Sequence, residues 1–209
     1  MTASTDDDVL TVFSDYVCPF CYLGRAALAR YRDAREEPLS VEWHPFDLRA
    51  RRRGPDGRIA PDADDGKDEA YYAQARENVE RLADRYGVEM ARTLVTDVDS
   101  LPAQVASYRV QAERPERWRA FDDAIFEAVW RDGRDVGDVD VLAGLAAGCD
   151  LDPDWVRETV EDGAARGELD RAFDAAQAAG VTGVPTFVYG DRVARGAVPP
   201  EHLERLVEG

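Results

Sequence analysis

The chain has 209 residues, 44% of them hydrophobic, enough to bury a full core in one domain carrying a large insertion or in two small domains. Its formal charge of -17 and pI near 4.5 oppose nonspecific attraction to nucleic acid or an anionic membrane. No apolar run approaches the roughly 18 to 20 residues of a membrane span, and Met1 to Asp8 is polar and acidic, unlike a secretory leader, so a cytoplasmic protein is expected.

Val9 to Phe13, V-L-T-V-F, is a short β-branched apolar run of the kind that forms a buried strand. Ser14 to Val17 then reads as a loop, and Cys18 and Cys21 follow, separated by two residues, where the apolar run stops and a helical pattern begins. Pro19 suits the first turn of that helix, because its missing N–H loses no bond there. Leu23, Ala26, Ala27, Leu28 and Tyr31 supply the apolar face, which ends near Arg35. From Leu39 to Phe46, Leu39, Val41 and Trp43 alternate with Ser40, Glu42 and His44, the pattern of a half-buried strand. Strand, helix and strand in this order predict a βαβ unit with parallel strands. The cysteine pair then lies at the C-terminal end of the first strand, the edge where sites on open α/β sheets are found.

Asp47 to Gly66 is a loop in which Arg49, Arg51, Arg52, Arg53 and Arg58 cluster. Such a run could bind an anionic substrate; the expectation is the commoner arrangement, solvated arginines pairing with nearby carboxylates. Lys67 to about Gly167 reads as successive helices. One runs from about Asp68 to Tyr86, and a shorter one spans Leu101 to Ala112, starting at Pro102 behind Ser100 as N-cap. In the next, Trp118, Phe121, Ile125 and Val129 recur at steps of three and four. Val141, Leu142, Leu145 and Cys149 mark a further apolar face, so Cys149 is expected to be a buried structural thiol. Asp152-Pro153 starts another short helix.

Leu169, Ala172, Phe173 and Ala176 form one more helix, stopped by Gly180. Strand patterns return at Val184 to Tyr189 and Arg192 to Arg195, flanking Gly190-Asp191 as an antiparallel hairpin. Pro199 and Pro200 open a last helix with Leu203, Leu206 and Val207 on one side. The predicted architecture is α/β: a thioredoxin-like fold with a large all-helical insertion, residues 8–66 and 168–209 forming the discontinuous domain and 67–167 the insertion.

Two sulfurs at this spacing on a first helical turn can close a disulfide, and the outer one stands at the helix N-terminus, where a thiolate is stabilised. Zinc would need four ligands, and the other candidates, Cys149, His44 and His202, are scattered singly, so no metal is expected. Cys18 is expected to be the more exposed thiol with the lower pKa, and therefore the nucleophile; Cys21, one turn in, is the resolving thiol. The redox-active pair itself would serve in place of a cofactor.

C-P-F-C-Y-L-G after a strand, G-V-T-G-V-P-T-F-V at Gly180 to Val188, G-R-D at Gly133 to Asp135 and R-G-A-V-P-P-E at Arg195 to Glu201 together resemble the DsbA-like thioredoxin-domain family. The likeness is nearest to its FrnE-like branch, with the related 2-hydroxychromene-2-carboxylate isomerases. This resemblance implies a cis peptide bond at Pro185 facing the cysteines, with the Val184 backbone available to an extended substrate. Pro19 and Phe20 complete the expected substrate-binding set. Strong oxidants of the family carry His in the central dipeptide; Phe20 here implies a more reducing couple. Arg25 could add thiolate stabilisation, although a surface cation is the expected role.

Isomerase-type relatives often have Asn-Thr and then His at the start of the second insertion helix, whereas this chain reads D-S-L-P-A-Q at Asp99 to Gln104, so their pocket does not carry over. The sequence therefore points to a thiol-disulfide oxidoreductase acting on a protein or small-molecule thiol or disulfide, as a monomer or homodimer. Its rivals are a glutathione- or thiol-dependent isomerase or transferase, whose relatives typically have Ser in the position of Cys18, and a client-binding chaperone-like protein. A final compositional feature is the basic set, 25 Arg and a single Lys against 27 Asp and 16 Glu. This balance resembles halophilic archaeal proteins, whose surface repulsion is screened over roughly 3 Å at 1 M salt; a high-GC genome would also favour Arg.

Overall fold

The computed structural model describes residues 8–60 and 66–209. The N-terminal segment read as non-secretory, apart from Asp8, and positions 61–65 of the arginine-rich loop lie outside the described residues. Four strands form one sheet in the order β2-β1-β3-β4: β1 is Val9–Ser14, β2 Ser40–Pro45, β3 Thr186–Tyr189 and β4 Arg192–Arg195. β1 and β2 are parallel, joined by α1 (Pro19–Ala34), while β3 runs antiparallel to both β1 and β4. Phe13 pairs with His44 on one side and Thr186 on the other, which brings the ends of three strands beside the start of α1.

α1 lays Leu23, Ala27, Leu28 and Tyr31 against Leu10, Val12 and Phe187 of the sheet, and α8 (Pro200–Glu208) closes this core with Leu203 and Leu206. The strand alternation explains the opposite face. Phe13 points away from Val12 and meets Ala176 of α7 (Gly163–Ala178) and Val181. α7 is continuous across residue 167, where the sequence reading ends the insertion, because Asp162 caps it through Ala164 N–H and Ala165 and Leu169 are already packed.

Between β2 and β3 the chain adds α2 (Glu69–Tyr86), α3 (Leu101–Glu113), α4 (Pro115–Trp130), α5 (Val139–Gly148) and α6 (Pro153–Glu161). α2 packs Val79 and Tyr86 into the core beneath α1, while α3 to α6 make a separate core built on Phe121, Ile125, Phe126, Val129, Trp130 and Leu142. Cys149 follows α5 rather than lying on its buried face: it is the C-cap residue and half-buried, which corrects the expectation of a buried thiol. Burial first, then the Asp150 charge, raises its pKa. No helix among the described residues is long and apolar enough to cross a membrane.

Candidate active site

The site is built where β1 ends. Asp15 to Val17 turn the chain, Cys18 takes the N-cap position of α1 with extended backbone, and Pro19 begins the helix without a donor to satisfy. The Cys18 carbonyl accepts from Cys21 N–H at 3.0 Å, which fixes the second sulfur one turn in from the first. Both cysteines are free thiols. The expected exposure of Cys18 is not observed: Cys18 is 3% and Cys21 1% exposed, because both sulfurs pack into the insertion's core with Val17, Val95 and Val98. Burial drives the Cys21 thiol well above its ordinary pKa, and the adjacent Cys18 adds to the rise.

The Val184-Pro185 peptide bond is cis, as the family likeness implies, and Cys18 Sγ donates to the Val184 carbonyl at 3.4 Å. Pro185 is buried, and its own carbonyl accepts from Gly196 N–H at 2.8 Å, tying the segment to the end of β4. Gly24 makes room for it: a Cβ there would lie 3.3 Å from Pro185 Cγ and 3.3 Å from Phe187 Cζ. Cys18, Pro19, Phe20 and Val184 share the wall of a cavity of about 130 Å³; Pro185 stands behind Val184, off that wall.

Polar groups buried around this turn were not legible as site residues. Asp15, 1% exposed, accepts from Ser100 Oγ (2.6 Å), Leu48 N–H (2.8 Å) and Val17 N–H (3.2 Å), and burial still raises its pKa from 3.8 to about 6 against those bonds. Ser100 thus occupies the expected N-cap position of α3 but gives its hydroxyl to Asp15 and makes no side-chain cap. Tyr16 Oη donates to Asp122 at 2.8 Å, and Trp130 Nε1 donates to the Tyr16 carbonyl at 2.8 Å. The one signal in the sequence was a charged residue, Asp15, set between a buried strand and an apolar turn.

Arg25 is not the expected surface cation. It is 8% exposed, lies 4.5 Å from the ring centroids of both Trp43 and Phe126, and pairs with Asp122 at 2.6 Å and with Asp123. Its charge is engaged by those two carboxylates. In the arginine loop the expected pairing with carboxylates holds for Arg53, gripped by Asp47 at 2.5 Å and Asp99 at 2.7 Å, but its side chain is buried rather than solvated; Arg49, 7% exposed, instead donates to the Val95 carbonyl at 2.7 Å. A short 3-10 helix, Ala50–Arg52, turns Arg49 and Arg52 onto the wall of the Cys18 cavity. No cluster of three or more metal-ligating side chains occurs among the described residues.

Comparison with known proteins identifies the family and the fold. The sequence model of the DSBA-like thioredoxin domain matches residues 9–208. The chain is 28% identical over 202 residues to YwbO of Bacillus subtilis (strain 168), an uncharacterized protein, covering 95% of this chain and 94% of that one. It superposes on a crystal structure described as a probable DsbA oxidoreductase from Streptomyces coelicolor with a TM-score of 0.78 at 25% identity, over 95% of this chain and 88% of the other. The fold is also shared with 2-hydroxychromene-2-carboxylate isomerase, TM-score 0.75 at 22% identity, over 94% of this chain and 93% of that structure.

Proposed function

Because this chain belongs to the DsbA-like thioredoxin-domain family over residues 9–208, we propose that it is a thiol-disulfide oxidoreductase with Cys18 as nucleophile and Cys21 as resolving thiol. The observation that carries the reading is the 3.4 Å contact from Cys18 Sγ to the Val184 carbonyl beside cis Pro185. An extended substrate laid along the Val184 backbone brings its sulfur to Cys18, with Pro19 and Phe20 on the adjoining wall.

The exchange follows from that placement. The Cys18 thiolate attacks one sulfur of the substrate disulfide, forms a mixed disulfide and releases the first substrate thiol. Cys21 loses its proton and attacks Cys18 Sγ; the second substrate thiol leaves and the Cys18–Cys21 disulfide closes, two electrons having passed to the substrate. Run backwards, the same steps oxidise a dithiol. Burial of Cys21 supports the division of roles, since a thiol held well above its ordinary pKa is a poor first nucleophile and reacts once a mixed disulfide is beside it. Pro19 and Phe20 place no charge between the sulfurs, which favours a reducing couple working in the cytoplasm on a protein or small-molecule partner.

The test is the equilibrium of the pair against a graded dithiol buffer, with Cys149→Ser leaving one couple. A single two-electron transition between roughly -120 and -270 mV supports the proposal. If no intramolecular disulfide forms anywhere in the series, the oxidoreductase reading fails and thiol-dependent isomerisation becomes the better account.

A further inference from the structure

Resting on the exchange chemistry proposed above, we infer that the substrate is a small disulfide carrying a carboxylate, which Arg49 and Arg52 bind on the wall of the Cys18 cavity. The charge of that wall is the first argument. The chain has 43 acidic residues and a net charge of -17, yet the described residues lining the cavity include Arg49, Arg52 and Lys67 and no Asp or Glu. A cationic concavity on so acidic a molecule selects for anions.

The state of the two guanidinium groups is the second. Arg49 is more than nine-tenths buried and its Nε has no hydrogen-bond partner; Nε of Arg52 is buried and unpartnered as well. Neither arginine forms an ion pair with a described residue, and their remaining bonds go to neutral carbonyls, Val95 and Thr96. Arg53, next in the chain, shows that this loop can saturate an arginine when the role is structural, because Asp47 and Asp99 grip it on both sides. The contrast among three arginines within five positions separates a structural cation from two that face the cavity. Burial presses the Arg49 guanidinium below its ordinary pKa; Asp15 and Asp99 offset part of this from beyond the cavity wall. A guanidinium nevertheless remains charged at neutral pH, so an arriving carboxylate gains charge-assisted bonds that water does not supply as well inside a cavity.

The volume of about 130 Å³ suits one half of a small aliphatic disulfide. Cys18, Arg49 and Arg52 line the same cavity, so the carboxylate of the leaving or the retained half is bound in the cavity where Cys18 attacks. One substrate S–S bond breaks, the Cys18–Cys21 bond forms, and two carboxylated thiols leave.

Stopped-flow oxidation of the reduced protein by 3,3′-dithiodipropionate and by its neutral diamide tests this, each rate divided by that of the same disulfide with dithiothreitol. At low ionic strength the dicarboxylate is expected to react about tenfold faster, the factor for one charge-assisted bond of roughly 1.4 kcal/mol, and 1 M salt should erase most of the preference. Arg52→Gln should lower the dicarboxylate rate more than the diamide rate and so remove the preference; Arg52 is half-exposed, and tryptophan fluorescence verifies folding. Equal normalised rates in wild type, or equal loss for both disulfides in the variant, would overturn the inference while leaving the oxidoreductase reading intact. Failure of both disulfides to react at all would instead overturn that reading and the carboxylate preference with it.

Discussion

Asp15 carries a pH dependence opposite in sign to that of an ordinary paired carboxylate. Its pKa rises from 3.8 to about 6 because burial outweighs the bonds from Ser100, Leu48 and Val17. The folded chain therefore binds the Asp15 proton more tightly than the unfolded chain does, and stability falls as pH climbs from 3.8 towards and past 6. A shift of about two units is worth about 3 kcal/mol, a large share of the roughly 5–15 kcal/mol that stabilises a domain. Asp15→Asn abolishes the titration. It also sets an amide N–H against a donor, most directly Leu48 N–H, at a cost of about 1–3 kcal/mol that does not vary with pH. Urea unfolding of both proteins between about pH 4 and pH 7.5, at fixed salt, isolates the term, because every other titrating group cancels in the difference. The variant should be the less stable protein at the acid end and gain roughly 2.4 kcal/mol relative to wild type across the range, since Asp15 of the unfolded chain is already partly ionised at pH 4. A difference that stays constant, or moves the other way, refutes the account of Asp15.

Asp122→Ala should cost about 3–5 kcal/mol in urea unfolding, because it strips a partner from Arg25, buried between Trp43 and Phe126, and leaves the Tyr16 hydroxyl without its acceptor. Iodoacetamide at neutral pH should modify Cys21 last of the three cysteines in folded protein, as read by peptide mass spectrometry; early Cys21 labelling would contradict its burial and raised pKa. Cys21→Ser should accumulate the mixed disulfide at Cys18, whereas Cys18→Ser should form none. In Gly24→Ala, a helix-propensity gain of about 1 kcal/mol meets an overpacking cost of about 1–3 kcal/mol against Pro185 and Phe187. The variant should unfold at lower urea and exchange disulfides more slowly.

The fold was legible because its signals are local. The apolar run Val9 to Phe13, the alternation around Trp43 and the Gly190-Asp191 turn each specify a strand or hairpin within a few residues, and their observed pairings follow. The cysteine spacing and the proline at 185 were equally open to reading. What stayed hidden depends on separations along the chain that no period encodes. Asp15 meets Ser100, Tyr16 meets Asp122, and Arg25 meets Asp122 only after the insertion has folded back over the start of α1. For the same reason Arg25 looked like a surface cation on a helix whose opposite face is apolar, and Ser100 looked like a helix cap. Arg49 and Arg53 were misjudged as solvated because a cluster of arginines carries no mark of which members face a cavity, a carboxylate pair or water.

Those same contacts explain why the insertion belongs to the chemistry rather than to its surroundings. Cys18 and Cys21 pack with Phe126, Val129 and Trp130 of α4, not with the sheet core beneath α1. A bare four-stranded frame would leave the first turn of α1 wet, and the Cys21 thiol would then sit nearer its ordinary acidity. By covering that turn, the insertion buries Cys21 and raises its pKa, while the cavity it walls with α2 and the segment around Val95 leaves an approach to Cys18. The asymmetry between an approachable sulfur and a shielded one is what a two-step exchange requires. It is held by polar tethers at Asp15, Tyr16 and Arg25 that lie within seven residues of the cysteines on either side. Loosening any of them should therefore show first as faster alkylation of Cys21, before secondary structure is lost.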